Sequence, residues 1–230
     1  MDLTAFRALI GKLTNDPNHD RYLVEDIDVE LDNTQDEWNV EAKIIKDTVT
    51  ITVVAGTRQY ALSGFTGTPI SFPRATHKGL DLEKVDKTYM DLYSGEDWTL
   101  IVGTPRKFYI EATDPDVQMF TIYPTPQAED AGANLVSEYV KRHTPMTAGS
   151  DLPFNALPLL VPYHYGLAYD VAQRLLLRDP TPDNSNKIFG ADGRSGYKGE
   201  AAIAKANVIQ VFKALEKQEP PRLRGGRRWR

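Results

Sequence analysis

Apolar and polar positions divide the chain into helical ends and an alternating middle. Leu3, Phe6, Leu9, Ile10 and Leu13 recur at helical spacing, and Asn15-Asp16-Pro17-Asn18 closes that first helix. A second helix is predicted over residues 20–46, with Leu23, Val24, Ile27, Leu31, Trp38, Ala42 and Ile45 as its apolar stripe. Thr34 and Gln35 interrupt that stripe and mark a candidate bend. Strict alternation then takes over: residues 48–54 read TVTITVV, a strand buried on one side, with 58–62 expected to pair back after the Gly56-Thr57 turn. Further strands are predicted at 70–72, 88–92, 107–112, 118–123 and 134–142, joined by Gly- and Pro-rich connectors. Residues 76–85 fit either a strand or a helical turn between strands.

Residues 155–178 are apolar on nearly every side, with a narrow polar stripe of Asp170, Gln173, Arg174 and Arg178, so this helix must be surrounded by the others. Pro162 either kinks it or marks its true start. Gly166, Ala168 and Ala172 leave room for a neighbouring helix, and Asp170 and Arg174 are spaced as a surface pair. Residues 179–199, with glycine at 190, 193, 196 and 199, read as a loop, and a last helix is expected over 200–219.

The expected fold class is α+β. A four-helix layer formed by residues 1–46 and 151–219 carries an inserted antiparallel β-sandwich or barrel lobe, residues 47–150, and an extended C-terminal arm, 220–230.

Composition narrows the function classes. The chain has no cysteine, which removes disulfides, thiolate metal sites and thiol catalysis and suits a reducing compartment. The apolar run near the start is too short for a signal peptide, and no stretch is long enough to span a membrane. The formal charge is −5, yet the arm holds five arginines and no acid, which leaves −10 on residues 1–219. An acidic body with a short basic arm is not a general nucleic-acid binder; such arms meet one complementary surface.

Catalytic and metal chemistry finds little support. Glu25, Asp26, Asp28, Glu30 and Asp32 offer oxygen ligands, but at helical spacing and without a glycine turn to converge them, so they read as a solvated helix face past which DNA slides as like charge. His19, His77, His143 and His164 show no metal spacing, and His164 reads as a hydrogen-bonded core histidine. No G-x-S-x-G elbow is present, and FGADGRSGYKGE lacks the phosphate-loop lysine pattern. Tyr163, Tyr165 and Tyr169 suit either a recognition surface or a core whose hydroxyls reach its edge. The arm, RLRGGRRWR, combines Arg and Trp, the types that dominate binding hot spots, with glycines that suit an extended segment laid along a protein partner.

The order of short motifs carries a resemblance. Tyr22-Leu23-x-x-Asp26-Ile27 precedes Trp38 and the Thr/Val strand. Gly56-Thr57-x-x-Tyr60-x-Leu62, Gly103-x-Pro105-x-x-Phe108 and Ile122-x-Pro124-x-Pro126 follow, then the strand Glu138 to Arg142, Asp151-Leu152-Pro153 and the apolar helix. This layout is similar to the head-to-tail adaptors of tailed bacteriophages, the gatekeeper or tail-tubular-A-like connectors. The resemblance implies a non-catalytic virion protein without cofactors, assembled in the host cytoplasm. It implies a homo-oligomeric ring, usually of twelve copies, at the head–tail junction beneath the portal, with a downstream tail or nozzle protein and viral DNA passing through without specific binding. Carried over, it places Arg222, Leu223, Arg224, Arg227, Arg228 and Trp229 at the portal contact. The acidic segment Glu25, Asp26, Asp28, Glu30 and Asp32 goes to the channel or an inter-subunit seam. Two competing expectations are a tail-tip β-sandwich that binds carbohydrate or a host surface through an aromatic patch of Tyr93, Trp98, Phe108 and Tyr109, and a hydrolase with converging acids or histidines.

Overall fold

A computed structural model of the chain describes residues 1–93, 98–114, 117–190 and 196–218. Its helices are α1 Leu3–Thr14, α2 Val24–Ala42, α3 Lys87–Tyr93, α4 Pro153–Ala156, α5 His164–Leu177, α6 Pro182–Phe189 and α7 Tyr197–Gln218. Its strands are β1 Lys46–Thr52, β2 Gln59–Ala61, β3 Pro69–His77, β4 Leu80–Asp81, β5 Glu83–Lys84, β6 Lys107–Asp114, β7 Val117–Tyr123 and β8 Asn134–Lys141. They form two compact units, one from Met1–Ile45 with Arg142–Glu219 and one from Lys46–Lys141.

In the helical unit, Asp2 accepts from the backbone N–H of Ala5 at 2.8 Å to start α1, and Asn15 ends it in the left-handed region at φ 60°. The turn into α2 is fixed by Asp16. Burial alone raises this carboxyl's pKa, but the backbone N–H groups of Tyr22 (2.8 Å), Arg21 and Asp20 (both 3.0 Å) donate to it and hold it below the usual range. The bend expected at Thr34 and Gln35 is absent: α2 runs through both. The Thr34 hydroxyl donates to the Glu30 carbonyl at 2.7 Å, and buried Gln35 accepts from Phe154 N at 2.9 Å and reaches the Met146 sulfur. Polar side chains stay inside this helix because each finds a partner.

Pro162 sits in a 3₁₀ turn, Pro158–Tyr163, and the α-helix proper begins at His164. A Cβ on Gly166 would lie 2.0 Å from the Ala204 Cβ, so this glycine sets the close approach of α5 to α7. The core gathers Phe6, Ile10, Ile27, Trp38, Leu167, Val171, Leu175 and Val208 around α5. Residues 182–189, expected as loop, are helix α6. Thr181 accepts from Asn184 N at 3.2 Å and Pro182 occupies the first turn, a start signal hidden inside a Gly-rich stretch.

In the other unit the sheets run β1-β8-β3-β4 and β2-β7-β6-β5, both open, so the lobe is not a closed barrel. They share one core of Phe65, Phe72, Phe108, Phe120, Leu135 and Tyr139, with Phe108 stacked on Phe120 at 5.2 Å. Residues 58–62 do not pair back onto 48–54. Instead β1 pairs with β8 (Thr50 opposite Val136) and β2 with β7 (Tyr60 opposite Phe120), because the two segments belong to opposite sheets. The β5–β6 pair is parallel, so the lobe is not wholly antiparallel. Residues 76–85 close a β3–β4 hairpin and then form β5. Residues 88–92, expected as a strand, are helical in α3. The Asp86 carboxylate accepts from Tyr89 N at 2.6 Å, and Met90 is the residue buried.

Candidate interaction surfaces

The acids of α2 are acceptors in a network inside the helical unit, not a plain solvated face. Arg7 grips Asp28 with Nε at 2.9 Å and a terminal nitrogen at 2.6 Å, and that hydrogen bond raises the guanidinium's pKa. Arg178 bonds Glu30 and lies 3.3 Å from Asp26. The His143 ring is buried between two acids, Nδ1 2.9 Å from Asp36 and Nε2 3.1 Å from Asp32. At the next residue, burial raises the Glu37 carboxyl's pKa, but Lys205 at 2.6 Å and Arg174 more than offset it and hold the group low.

Deepest in the network, buried Asp170 accepts from Trp38 Nε1 at 2.7 Å and from Gln173 at 2.7 Å, with Arg174 at 3.3 Å. The pair expected on the surface is therefore interior on its acid side. Asp26, Asp28, Glu30 and Asp32 are half-buried, whereas Glu25 is exposed. The acids point to different cations on different elements. Among the described residues no His/Asp/Glu group is arranged to hold a metal ion.

His77, His143 and His164 are each buried against a named partner. His164 is buried, its Nδ1 2.8 Å from the Met1 amino group; burial first, then that positive charge, pull its pKa to about 4. His77 lies 3.3 Å from buried Asp130 in the sandwich unit, where Lys78 also reaches that carboxylate at 2.7 Å. Burial raises the Asp130 pKa, but Lys78 and His77 hold it below its usual range. Of the tyrosines on the central helix, Tyr165 is exposed, Tyr163 packs on the core, and Tyr169 stacks on Tyr197 at 5.3 Å.

The aromatic patch expected on the β lobe does not exist as a surface. Trp98, Phe108 and Tyr109 are all buried: Phe108 faces the shared core, while Trp98 packs edge-on against Tyr109 at 6.0 Å and Tyr123 at 5.8 Å. Burial pushes the Tyr109 hydroxyl up to about 12. The Tyr93 side chain lies outside the described residues.

The large apolar residues this unit exposes are mostly aliphatic, Leu80 and Val54 among them, with Tyr89 the aromatic exception among the described residues. Leu92 is 70% and Leu100 73% exposed, with Val102 and Ile101 beside Leu100 also exposed. Sequence reading missed the exposed run Leu100–Val102; its signal was the unalternated Leu100-Ile101-Val102 ahead of the Gly103-Thr104-Pro105 turn. The helical unit has its own bare aliphatics: Leu23, Val29 and Val40 along α2, and Ile203 on α7. Arg222, Leu223, Arg224, Arg227, Arg228 and Trp229, together with residues 191–195 of the Gly-rich stretch, lie outside the described residues.

Residues 1–214 match the model of a family described as SU10 adaptor protein. No curated protein matches the chain.

Proposed function

The chain belongs to the SU10 adaptor protein family, and from that premise we propose that it is a structural, non-catalytic joint of a tailed-phage virion, a ring of copies seated beneath the portal at the head–tail junction. The observation that carries this reading is the family match across residues 1–214, which takes in both compact units. Two features of the molecule support it. The helical unit is locked by ion pairs running from α2 to α1, α5 and α7, as a scaffold that holds its shape under load requires. Each unit also exposes aliphatic side chains that a free monomer would gain by covering.

In this reading the family's partners divide between the surfaces. The arm, through Arg222, Leu223, Arg224, Arg227, Arg228 and Trp229, grips the portal. The exposed run Leu100–Val102 of the sandwich unit meets the downstream tail component. Twelve copies set the ring, and DNA passes through its channel unbound, repelled by an acidic body. Of Glu25, Asp26, Asp28, Glu30 and Asp32, Glu25 is the exposed one, which supports assigning it to the channel or a neighbouring copy. Electron microscopy of the purified chain with and without portal tests this. Closed rings that join portal, and lose it on deletion of residues 220–230 while the ring persists, are expected. Undiminished portal binding by the truncated chain refutes the arm's role, and a chain that never forms rings refutes the reading as a whole.

A further inference from the structure

Resting on that reading, we propose that neighbouring copies meet through the outer face of α2 on one subunit and the outer face of α7 on the next. Along α2 the positions pointing away from the core are Glu25, Val29, Asn33 and Val40; all are exposed, and Val29 is 56% so. The half-buried ion pairs of Asp28, Glu30 and Asp26 line the sides of this stripe and fix its rotation about the helix axis. The stripe is apolar with the acid Glu25 towards its start, and Asp36 on the same face is already paired with Arg142 at 2.7 Å.

The outer face of α7 is its counterpart. Among the described residues of this helix, Ala201 and Val208 are buried, and Ala204, Ile209 and Phe212 pack partly against the core. The opposite side presents Ile203, Gln210, Lys213 and Lys217, all exposed, with Ile203 60% so. This face is apolar and mainly cationic, with exposed Glu200 at its first turn.

The second copy is the occupant that fits both. The two faces differ from each other and complement each other, the condition for a heterologous contact that closes into a ring. Spacing agrees when the helices run antiparallel. With Ile203 set against Val40, Lys217 falls opposite Glu25, separations of about 21 Å on α7 and about 22 Å on α2 at 1.5 Å per residue. An exposed ion pair contributes only about 0–1 kcal/mol, so the charges select partner and register while the apolar contacts, repeated around the ring, hold it.

Charge reversal on the full chain tests the pairing, read as association by sedimentation and mass photometry. Glu25→Lys and Lys217→Glu each place like charges at the seam, and each is expected to weaken association by about tenfold. Both lie on exposed surface, and unchanged helical circular dichroism confirms the fold. The double variant Glu25→Lys/Lys217→Glu restores opposite charges at every contact and is expected to recover association. Single variants that assemble like the parent overturn the inference while leaving the ring reading intact. So does a double variant no better than either single, or singles that keep the ring but lose portal binding, which would assign these faces to the portal. A parent chain that stays monomeric at all concentrations sinks the ring itself.

Discussion

The two units bury large aromatic side chains on different terms. In the helical unit Trp38 stacks on Phe154 at 6.5 Å within a mostly aliphatic core, and its indole N–H is committed to Asp170, itself braced by Gln173 and Arg174. In the sandwich's shared core, Phe108, Phe120, Phe72 and Phe65 touch ring to ring and Tyr139 adds a polar anchor, its hydroxyl donating to the Thr66 carbonyl at 3.1 Å. Trp98, in a smaller cluster of the same unit, donates its indole N–H to Asp91 at 3.0 Å. The reason lies in connectivity. The sandwich is made from one continuous stretch whose ladders fix register by backbone pairing, and its core can be filled by shape. The helical unit joins two chain segments separated by the whole lobe, and smooth helices packed on apolar stripes slide and rotate readily. Directional bonds such as Trp38–Asp170, spanning 132 positions of sequence, set one rotation and one register.

The largest effects follow from emptying either core. Trp38→Ala and Phe120→Ala are each expected to cost about 3–5 kcal/mol, read by urea unfolding. The comparison is sharpened by the milder pair. Phe120→Leu keeps an apolar filling and should cost under about 1.5 kcal/mol. Trp38→Phe leaves Oδ2 of Asp170 without its donor while Gln173 and Arg174 keep Oδ1, at about 1–3 kcal/mol beyond the lost volume. Equal costs for the two conservative changes break the distinction.

A second contrast is in pH response. The folded-state pKa of His164 is drawn to about 4 from an unfolded value of 6.5. The unfolded chain therefore binds the extra proton first on acidification. The stability this neutral, buried ring contributes is fully present above pH 6.5 and is lost as pH falls towards 4, up to about 3 kcal/mol at 1.36 kcal/mol per unit. His164→Gln should flatten the stability–pH curve of the helical unit in that window. An unchanged slope assigns the acid sensitivity elsewhere.

How much of this was legible in the chain depends on whether the signal is local. The stripe of Leu3, Phe6 and Ile10 marks α1, and the Thr/Val alternation marks β1, because period alone specifies an amphipathic element. The pairing of β2 with β7 was not readable, since nothing within 58–62 distinguishes a neighbour in sequence from one in the opposite sheet. Helices α3 and α6 were masked because a short helix shows too little periodicity, and only their capping groups, Asp86 and Thr181, announce them. For the surfaces, charge sign was legible but its use was not: Asp28, Glu30 and Asp32 look free until Arg7, Arg178 and His143 arrive from distant segments.

Close packing gives a middle-sized effect confined to one unit. Gly166→Ala pushes a methyl against Ala204 where the Cβ atoms would be 2.0 Å apart, and α5 and α7 must separate. A cost of about 1–3 kcal/mol is expected, and the paired change Ala204→Gly should recover part of it. In the sandwich, Gly132 is different: its Cβ would meet nothing within 4 Å, and only its φ of +78° opposes substitution. Gly132→Asn, a residue that tolerates the left-handed region, should therefore cost less than Gly166→Ala.

The smallest expected effect equalises the units. Arg178 pairs with Glu30 and Asp26 at the rim of the helical network, and Arg74 pairs with Asp81 at 2.6 Å on the sandwich edge; both arginine side chains are more than 40% exposed. Water screens such pairs, and ordering two long side chains offsets most of the attraction, so Arg178→Ala and Arg74→Ala should each cost under about 1 kcal/mol and less still at high salt. If Arg178→Ala instead costs several kcal/mol at every salt concentration while Arg74→Ala does not, the rim of the helical network is coupled to its buried centre through Glu30 and α2. The directional bonding that distinguishes this unit would then extend from Trp38 and Asp170 to its surface.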